Sequence, residues 1–513
     1  MPSDDTSVDR RHFSLFWVAA MDDAPLSQTP VERADLPELT RDQQAAHDAI
    51  LPFLTGHTDH GVMVLEGWAG TGKTTLVAHL LRGFPEWRVA VAAPTNKAVR
   101  VLRDKLIEAG AAVADAGEPD ELPSWRSRKA LPPRGITCRS IHSLLGLKLA
   151  ELDNGQHEAR THRDSTLRDY QVVIVDECSM LDDDLFQRVI RERGNARILF
   201  VGDSAQLPPV KAGPGLSPVF SRVNAKCTLT SVIRQAADNP IIQLSVAIRQ
   251  YIEAGIRVSA ASLTETLPTS HSEARVVLVG GDAGVLVDWW LAQHEAEPET
   301  DTRIIAYTND RVLEYNRRIH QALHGETLTR FVAGERVVVH SQCKASMVTS
   351  DCLMQEGVLI TSEELRVLKS EPAVHPFYPQ VGAERLLLHA DDGVLWRVWV
   401  AADDVALNQA VSAYFADWRR LKSDSEATAD SAEKERLKEA AREASNRGWA
   451  LKRTFAPLRH AYAITCHKSQ GSTFDCALVD FSDLSRMPDV HEFNRALYVA
   501  VTRSRQYLAM VVS

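Results

Sequence analysis

The most informative segment of this chain for its fold is VMVLEGWAGTGKTTLVAHLL, residues 62–81. It begins with an apolar run, continues into a glycine-rich loop that fits GxxxxGK followed by Ser or Thr, and ends in an apolar helix-like segment. Glycines let backbone N–H groups turn inward around phosphate oxygens, and the N-terminus of the next helix adds partial positive charge. The stretch therefore predicts a strand, a phosphate-binding loop and a helix of an α/β domain.

The residues of this loop have distinct expected roles at a bound nucleoside triphosphate. Lys73 is expected to reach the β- and γ-phosphates, and Thr74 is expected to hold Mg²⁺. The predicted ATP contacts in this segment are Gly67, Ala69, Gly70, Thr71, Gly72, Lys73, Thr74 and Thr75.

A second signal is the segment VVIVDECSM, in which Asp176 and Glu177 directly follow an apolar strand. Two acids after a strand are usually ordinary loop residues. In an open α/β sheet, however, the carboxyl end of such a strand faces the nucleotide, and the phosphate loop upstream favours the catalytic interpretation. We expect Asp176 to bind Mg²⁺ through its hydration shell, and Glu177 to orient and deprotonate the attacking water.

Short runs rich in Val, Ile and Ala recur along the chain, and each is followed by a loop and a helix-like pattern. Such runs are typical of strands that are buried on both faces of a parallel sheet. They fall into two groups, roughly residues 60–225 and 300–513, which predicts two α/β domains with parallel sheets flanked by helices. The predicted strands are residues 62–65, 89–92, 172–175, 198–201, 303–306, 477–479 and 508–512.

Two stretches break this alternation. LKLAELDNGQHEARTH, residues 147–162, carries an Asn-Gly pair that supports a tight turn, so we predict a small β-hairpin there. Residues 331–454 include LLLHADDGVLWRVWV, whose Asp-Asp-Gly also predicts a hairpin, and indicate a small β domain. The charged run at 423–447 within it is interpreted as a solvated helix or a disordered segment.

The sequence resembles superfamily 1 helicases, specifically the RecD-like and Dda-like group. Besides the phosphate loop GWAGTGKT (67–74), nine segments carry the resemblance, and they follow one another in order over nearly the whole chain. The nine segments are LTRDQQAA (39–46), APTNKAVRVL (93–102), SIHSLLG (140–146), VIVDECSM (173–180), GDSAQLPPV (202–210), LTSVIRQ (229–235), IIAYTND (304–310), AITCHKSQGSTFD (463–475) and LYVAVTRSR (497–505).

The resemblance implies that ATP lies between two RecA-like domains. Arg503 would cross to the γ-phosphate as an arginine finger, with Arg234 as its partner, and Gln43 would read adenine. The catalytic set so implied is Lys73, Asp176, Glu177, Gln206, Arg234 and Arg503, and Gln470 and Gly471 complete the ATP contacts. Gln206 would sense the γ-phosphate from the first domain, and Gln470 and Gly471 would sense it from the second. The implied contacts to a nucleic-acid strand are Pro94, Thr95, Asn96, His142, Asn309, His467, Lys468 and Thr473.

The resemblance also implies a domain organisation. The first RecA-like domain would comprise 39–145 and 170–225, with a pin formed by the hairpin at 146–169, and the second would comprise 226–330 and 455–513. An SH3-like domain with the charged helical segment would occupy 331–454, and residues 1–38, which match nothing, would form a tail. The pin has no aromatic residue to stack on a base pair, and MQEGV matches the SH3-like pattern only loosely.

The function implied is that of an ATP-dependent DNA helicase that moves 5′→3′ along single-stranded DNA as a monomeric motor. Forked duplex, RNA, a single-strand-binding protein, and replication or repair proteins are further possible partners. Three alternatives remain open: a translocase that strips proteins but unwinds poorly, an RNA helicase, and a non-enzymatic binding module. Intact Glu177, Gln206 and Arg503 weigh against the last of these.

Composition limits the other classes of protein. The net charge of −10 argues against a broad basic surface, so nucleic acid is expected in a local groove. Seven cysteines without a CxxC pair argue against disulfides and zinc knuckles and favour the cytoplasm. No apolar run reaches the ~18 residues of a membrane span. No compact acidic or histidine metal cluster is evident apart from the ATPase acids, so no nuclease site is expected.

Overall fold

The computed structural model describes residues 37–84, 86–111, 113–114, 131–151, 157–161, 163–209, 215–231, 239–266, 275–348, 354–391 and 393–512. Most of the tail expected at 1–38, the turn of the predicted pin and Arg234 lie outside these residues. The described part contains two parallel sheets, one antiparallel sheet and one two-stranded hairpin. No helix in the described part is both long and apolar enough to cross a membrane.

A six-stranded sheet with the order β3-β2-β6-β7-β1-β8 forms the centre of the first lobe, which we define as the described residues of 39–229. All its neighbouring strands run parallel. Its elements are α1 Arg41–Leu54, β1 Val62–Gly67, α2 Lys73–Arg82, β2 Arg88–Ala93, α3 Asn96–Glu108, β3 Gly135–Ser140, α4 Ile141–Leu144, β4 Leu147–Glu151, β5 His157–Thr161, β6 Val172–Val175, α5 Asp183–Glu192, β7 Arg197–Gly202, α6 Pro218–Arg222 and β8 Lys226–Leu229.

The strands of this sheet are buried on both faces, which explains their continuous apolar sequences. Leu65 and Val91 point into one apolar cluster, whereas their neighbours Val64 and Ala90 point into the cluster on the opposite face. The strand β8 pairs with β1 and so belongs to this sheet. The boundary expected at residue 225 is therefore wrong, because backbone pairing carries the first sheet to Leu229.

The predicted pin strands β4 and β5 pair antiparallel, with Leu147 opposite Thr161. Gly146 starts the hairpin with a φ of +65°, and a Cβ there would lie 2.2 Å from the carbonyl oxygen of Arg163. Only glycine fits this close approach of the two chains. The turn residues between the strands lie outside the described residues, so the wedge role of the hairpin stays a prediction.

The chain then enters the second lobe, which we define as the described residues of 239–324 and 463–512. Its first elements are α7 Pro240–Ala254, α8 Ala260–Thr266, β9 Arg275–Gly280, α9 Ala283–Ala296, β10 Thr302–Ala306 and α10 Asn309–His324. The β10 strand is buried along its whole length, as expected for a central strand.

The insert, defined as the described residues of 331–460, interrupts the second lobe with a seven-stranded antiparallel sheet ordered β13-β12-β16-β15-β14-β11-β17. Its elements are β11 Arg336–Val339, β12 Cys343–Val348, β13 Met354–Leu359, β14 Glu364–Val374, β15 Gly382–Ala390, β16 Leu395–Ala401, α11 Asp404–Ala427, α12 Ser431–Thr454 and β17 Leu458–His460. Since β17 pairs with β11, this sheet extends beyond the expected boundary at 454. The charged run at 423–447 is helical and lies in α11 and α12, which pack together.

The chain returns to the second lobe to complete a five-stranded parallel sheet ordered β18-β10-β19-β20-β9. Its remaining elements are β18 Ala463–Thr465, α13 Cys466–Ser469, β19 Phe474–Asp480, α14 Phe481–Leu484, α15 Val490–Val501 and β20 Ser504–Val512. All seven predicted strands are present, and they divide between two parallel sheets flanked by helices. The predicted α/β fold class is confirmed.

Ion pairs join the insert to both lobes. Lys97 of α3 lies 2.6 Å from Glu364 at the start of β14, and Arg303 of β10 lies 2.6 Å from the other carboxylate oxygen. Arg100 contacts the neighbouring Glu363 at 3.0 Å. The two cations oppose the effect of burial and hold the pKa of Glu364 at about 2. The half-buried Glu364 carboxylate therefore bridges the first lobe, the insert and the second lobe.

Candidate nucleotide and nucleic-acid sites

The phosphate loop connects β1 to α2 in the conformation that its glycines permit. Gly70 and Gly72 have φ values of +77° and +73°, which are costly for residues with a side chain. The loop ends at Lys73, the first residue of α2, whose Nζ donates to the carbonyl oxygens of Gly67 at 2.7 Å and Trp68 at 3.1 Å. The ammonium and the N-terminus of α2 thus lie at the same turn, an arrangement suited to anionic phosphate.

The side chain of Gln43 anchors the phosphate loop to α1. Its Nε2 donates to the carbonyl oxygen of Thr71 at 3.0 Å, and its Oε1 accepts from the backbone N–H of Thr40 at 2.9 Å. Thr40 accepts in turn from the Gln43 backbone, so the two residues form a capping box. Gln43 therefore lies next to the loop, as a nucleotide contact requires, while its role in reading adenine stays a prediction.

Of the remaining predicted residues, Ala69 and Thr71 lie inside the loop, whereas Thr74 and Thr75 follow it in α2. Thr71 is buried, and its hydroxyl donates to the carbonyl oxygen of Trp68 at 2.8 Å. Thr74 and Thr75 are half-buried in the first turn of α2. The backbone N–H of Ala69 donates to the hydroxyl of Tyr498 in the second lobe at 3.1 Å. The loop therefore already has a contact across the cleft between the lobes.

Asp176 and Glu177 follow β6 at the edge of the sheet that carries the phosphate loop. The Asp176 carboxylate accepts from the backbone N–H of Glu177 at 2.9 Å. Glu177 has a φ of +52°, a left-handed conformation that is strained for a residue with a side chain and is often found at functional sites. Burial, and then the Asp176 carboxylate, raises the pKa of Glu177 to about 7. A carboxylate with this pKa is well placed to accept a proton near neutral pH.

Arg503 reaches the same region from the second lobe. Its Nε donates to the carbonyl oxygen of Val499 and its Nη1 to that of Ser472, both at 3.0 Å. Burial lowers the pKa of Arg503, while the Glu177 carboxylate acts in the opposite direction. The structure therefore brings Arg503 within electrostatic range of Glu177, although the two residues belong to different sheets.

Gln206 and Gln470 meet between the lobes. The Nε2 of Gln470 donates to the Oε1 of Gln206 at 3.0 Å and to the hydroxyl of Ser179 at 3.2 Å. The next residue, Gly471, has a φ of +76°, and a Cβ there would lie 3.6 Å from the Cβ of Ala98 on α3. The two predicted sensors of the γ-phosphate are thus in direct contact with each other.

A buried network that the sequence did not indicate lies behind the phosphate loop. The hydroxyl of Tyr498 donates to the carboxylate of Asp203 at 2.6 Å, and the guanidinium of Arg249 pairs with the other oxygen of that carboxylate. Arg249 also lies over the ring of Trp68, 5.0 Å from its centroid. Asp203 and Tyr498 fall inside segments that the resemblance covers, but Arg249 lies in α7, outside all of them, so no signal in the sequence could have identified it.

The predicted strand contacts of the first lobe cluster at the ends of β2 and β3. Thr95 caps α3 by accepting from the backbone N–H of Ala98 at 3.2 Å, and Asn96 is exposed beside it. His142 on α4 hydrogen-bonds the backbone of Pro94, which brings two predicted segments together. Burial lowers the pKa of His142, so its ring is neutral at physiological pH.

The predicted strand contacts of the second lobe include a basic cluster. Lys468 of α13 lies 2.7 Å from the Nδ1 of His340, and Arg459 donates to the Oδ1 of Asn309 at 3.2 Å. Burial, and then Arg459, lowers the pKa of Lys468 to about 8. His340 and Arg459 were not among the residues predicted from the sequence. The only signal for Arg459 was its position just before the segment AITCHKSQGSTFD.

The other two predicted contacts of the second lobe lie at the edge of this cluster. His467 is half-buried, with its Nε2 3.8 Å from Glu492 and its ring 6.3 Å from that of Tyr307. Burial lowers the pKa of His467. Thr473 is exposed just before β19. Both residues remain candidates for contact with a strand.

The expectation that histidines form no metal-type cluster is wrong. His320, Glu335 and His460 present ligand atoms that all lie within 4.8 Å of one another. The cluster forms because pairing of β17 with β11 brings segments together that are distant in the sequence. It lies away from the residues predicted to bind ATP and is considered separately below.

Two family models match this chain. The model described as an AAA domain matches residues 38–261, which contain the first lobe and α7. The model described as a UvrD-like helicase C-terminal domain matches residues 460–511, which contain the last strands and helices of the second lobe. The first match therefore covers the first lobe, and the second match covers the C-terminal part of the second lobe.

Named relatives match the chain over different lengths. The ATP-dependent RecD2 DNA helicase of Deinococcus radiodurans is 32% identical over 248 residues, which are 47% of this chain and 29% of that protein. The chain thus spans less than a third of that relative. The ATP-dependent DNA helicase dda of Enterobacteria phage T4 is 23% identical over 481 residues, which are 91% of this chain and 98% of that protein.

Among solved structures, the Pif1 helicase from Candida albicans is similar, with a TM-score of 0.45 and 17% sequence identity, over 93% of this chain and 95% of that one. The family models and the relatives agree with the ordered segments that carry the resemblance. The chain is therefore similar to superfamily 1 helicases of the RecD-like and Dda-like group.

Proposed function

We propose that this chain is an ATP-driven motor that moves 5′→3′ along single-stranded DNA and separates duplex ahead of it. The observation that carries the proposal is that residues of the two lobes interact across one cleft: Gln470 donates to Gln206, and the Ala69 backbone of the phosphate loop donates to Tyr498. Arg503 of the second lobe also acts electrostatically on Glu177 of the first. A site shared by two lobes changes when the lobes move. Hydrolysis in such a site can therefore be converted into motion.

The hydrolysis step follows from the charges in the cleft. Glu177 would accept the proton of the attacking water, and its pKa of about 7 makes it both ionised and basic near neutral pH. Lys73, at the start of α2, would neutralise the β- and γ-phosphates. Arg503 would stabilise the charge on the γ-phosphoryl oxygens, an effect worth a factor of ~10³–10⁵ in rate.

The residues predicted to hold Mg²⁺ fit that ion. Thr74 offers a hydroxyl and Asp176 a carboxylate, the hard oxygen ligands that Mg²⁺ prefers. Within the described residues no ion pair reaches the Asp176 carboxylate, and burial raises its pKa, so a nearby cation would favour its ionised form. When bound with ATP, Mg²⁺ neutralises charge between the β- and γ-phosphates.

Contacts behind the γ-phosphate position would couple the nucleotide to motion. The bond from Gln470 to Gln206 and the bond from Tyr498 to Asp203 both cross the cleft. Gln470 directly follows α13, which carries Lys468, so movement at the cleft would reach the proposed strand contacts through a few residues. Opening the cleft has to break these bonds, and closing it restores them.

The proposed path of the strand uses contacts that carry no base information. Thr95, Asn96 and His142 of the first lobe would contact the strand backbone. Lys468 of the second lobe and Arg459 of the insert would contact it further along. Contacts to phosphate and sugar hold a strand without reading its sequence. A motor that must pass over every sequence needs this property. One chain contains both lobes, so the proposal requires no second copy.

A second candidate is a translocase that displaces bound proteins and unwinds poorly. It is favoured by the sequence of the predicted pin, because residues 147–162 contain no aromatic side chain to stack on a base pair. In that case, shortening the hairpin should leave movement along single strands intact, and the wild-type chain should open forked duplexes only slowly.

The test is ATP hydrolysis and fork opening by the full chain with 5′-tailed DNA, 3′-tailed DNA and single-stranded RNA. We expect DNA to stimulate turnover, and 5′-tailed forks to be opened faster than 3′-tailed forks. Lys73→Ala should abolish the stimulation, whereas Arg436→Ala, on the exposed face of α12, should not. Stimulation that survives Lys73→Ala would reject the motor, and equal stimulation by RNA would reject the preference for DNA.

A further inference from the structure

Four side chains from three segments converge at the junction of the second lobe and the insert. His320 and His324 lie one turn apart on α10 and so share a helix face. Glu335 directly precedes β11, and His460 ends β17. Glu335 is buried, with 5% of its surface exposed. None of these residues belongs to the proposed ATP or strand sites.

All three imidazoles are directed at one oxygen atom, the Oε1 of Glu335. The His320 Nδ1 lies 2.6 Å from it, the His324 Nε2 3.3 Å and the His460 Nδ1 3.6 Å. The hydroxyl of Tyr462 also donates to this oxygen. Since a carboxylate oxygen has two lone-pair positions, it cannot satisfy four donors.

Two of the ring nitrogens are therefore left over. Within the described residues, the Nε2 of His324 and the Nδ1 of His460 are buried and have no hydrogen-bond partner. A buried nitrogen without a partner is unfavourable in a hydrogen-bond network, but it is an available lone pair when the ring is neutral. The geometry thus satisfies hydrogen bonding poorly and matches a set of metal ligands better.

We propose that His320, His324, Glu335 and His460 form a structural zinc site. Four ligands of the nitrogen and carboxylate type suit tetrahedral Zn²⁺, with bonds of about 2.0–2.2 Å. Neighbouring ligand atoms in such a tetrahedron are roughly 3.3 Å apart, close to the separations that His324 and His460 already have from Glu335. The 2.6 Å contact from His320 must lengthen. His324 must also move closer to the other imidazoles, because the group whose ligand atoms already lie within 4.8 Å of one another is His320, Glu335 and His460. Tyr462 would remain as a hydrogen-bond partner that orients the Glu335 carboxylate.

The site would fasten the insert where the chain leaves the second lobe and where it returns. Zinc would connect α10 to the start of β11 and to the end of β17, and β17 leads directly into β18 and α13. The orientation of the insert relative to Lys468 would then depend on the metal. This inference does not rest on the proposed motor activity, because metal content and stability can be measured without ATP or DNA.

The first experiment measures metal in the full chain purified without a histidine tag. We expect about one zinc per chain by elemental analysis after gel filtration. Chelation should lower the thermal unfolding temperature, and zinc should restore it where magnesium does not. Cobalt added to the chelated chain should give the strong visible absorption of a tetrahedral site. A chain that binds no zinc, and whose unfolding temperature zinc does not change, would overturn the proposal.

The second experiment assigns the ligands. His324→Gln and His460→Gln should each abolish the visible cobalt absorption and the stabilisation by zinc, whereas His389→Gln, on β15 of the same sheet, should retain both. Far-ultraviolet circular dichroism checks that each variant is folded. If a variant does not fold, the cobalt spectrum of the unchanged chain still shows whether a tetrahedral metal site exists. Zinc that remains bound in both folded variants would place the metal elsewhere and contradict the proposal.

Discussion

The side chain of Gln470 in the second lobe donates a hydrogen bond of 3.0 Å to the side chain of Gln206 in the first. Each of these residues was predicted to respond to the γ-phosphate, one from each sheet. Their direct contact means that the two responses are not independent. Whatever displaces one amide has to displace the other, so the pair can act as a single element that links the state of the nucleotide to the position of the lobes.

This pair yields a prediction about additivity. We expect Gln206→Ala and Gln470→Ala each to lower strand-stimulated ATP hydrolysis, and the double variant to be little worse than the more impaired single variant. Residues in contact typically show a coupling of ~0.5–3 kcal/mol. Turnover of the four chains, measured at saturating DNA, gives the coupling. Effects that simply add would show that the two amides act separately.

The pKa of Glu177 predicts how turnover depends on pH. Since Glu177 must be ionised to accept a proton, kcat/KM for ATP should rise with pH through about 7 and then level off. Arg503 lowers this pKa, so in Arg503→Met the residual activity should rise at higher pH. Glu177→Gln should lower turnover by a factor of ~10²–10⁴. Its remaining activity should no longer rise with pH. If kcat/KM of the unchanged chain varied by less than about a factor of two between pH 6 and 8, Glu177 would be excluded as the base.

Glu364 predicts a dependence of stability on pH. Its folded-state pKa of about 2 lies below the ordinary value of 4.5, so its ion pairs stabilise the fold above that ordinary value. This contribution should be lost as the pH falls from roughly 5 towards 2. Urea unfolding at several pH values checks this. Glu364→Gln should have a lower free energy of unfolding than the unchanged chain at pH 7, and this free energy should fall less on acidification. The control Glu433→Gln, in a surface ion pair, should match the unchanged chain at each pH.

The basic cluster around Lys468 predicts how strand binding depends on salt. If Lys468 contacts phosphate, Lys468→Ala should weaken binding to all sequences similarly and reduce the slope of log affinity against log salt by about 1. Lys344→Ala is a suitable control, because Lys344 is exposed on β12 in a surface ion pair. Fluorescence anisotropy with mixed-sequence oligonucleotides at several salt concentrations measures the slope. An unchanged slope in Lys468→Ala would remove this residue from the strand path.

The parts of the fold that were predictable are those that local sequence determines. Strands such as VVIV at 172–175 are continuous apolar runs because both faces of the sheet are covered, and the phosphate loop has a fixed pattern of glycines. By contrast, β8 was assigned to the wrong domain. It is a strand of four residues at the sheet edge, with alternating exposure, and only its pairing with β1 shows where it belongs.

The candidate site was predictable where ordered segments cover it, and not elsewhere. Arg249 lies on α7 with no neighbouring signal, yet it is the buried partner of Asp203. His320 and His460 are far apart in the sequence, and only the pairing of β11 with β17 brings them together. Contacts of this kind depend on long-range topology, which neither periodicity nor local motifs encode.

The most direct test of the shared cleft is ATP turnover by Arg503→Ala beside Arg505→Ala, since Arg505 is an exposed arginine two residues away. With saturating single-stranded DNA, we expect Arg503→Ala to lower kcat by ~10³ or more and to bind a fluorescent ATP analogue about as well as the unchanged chain does. Arg505→Ala should keep nearly the full activity. An Arg503→Ala chain that hydrolyses ATP at the full strand-stimulated rate would contradict a site formed between the two lobes.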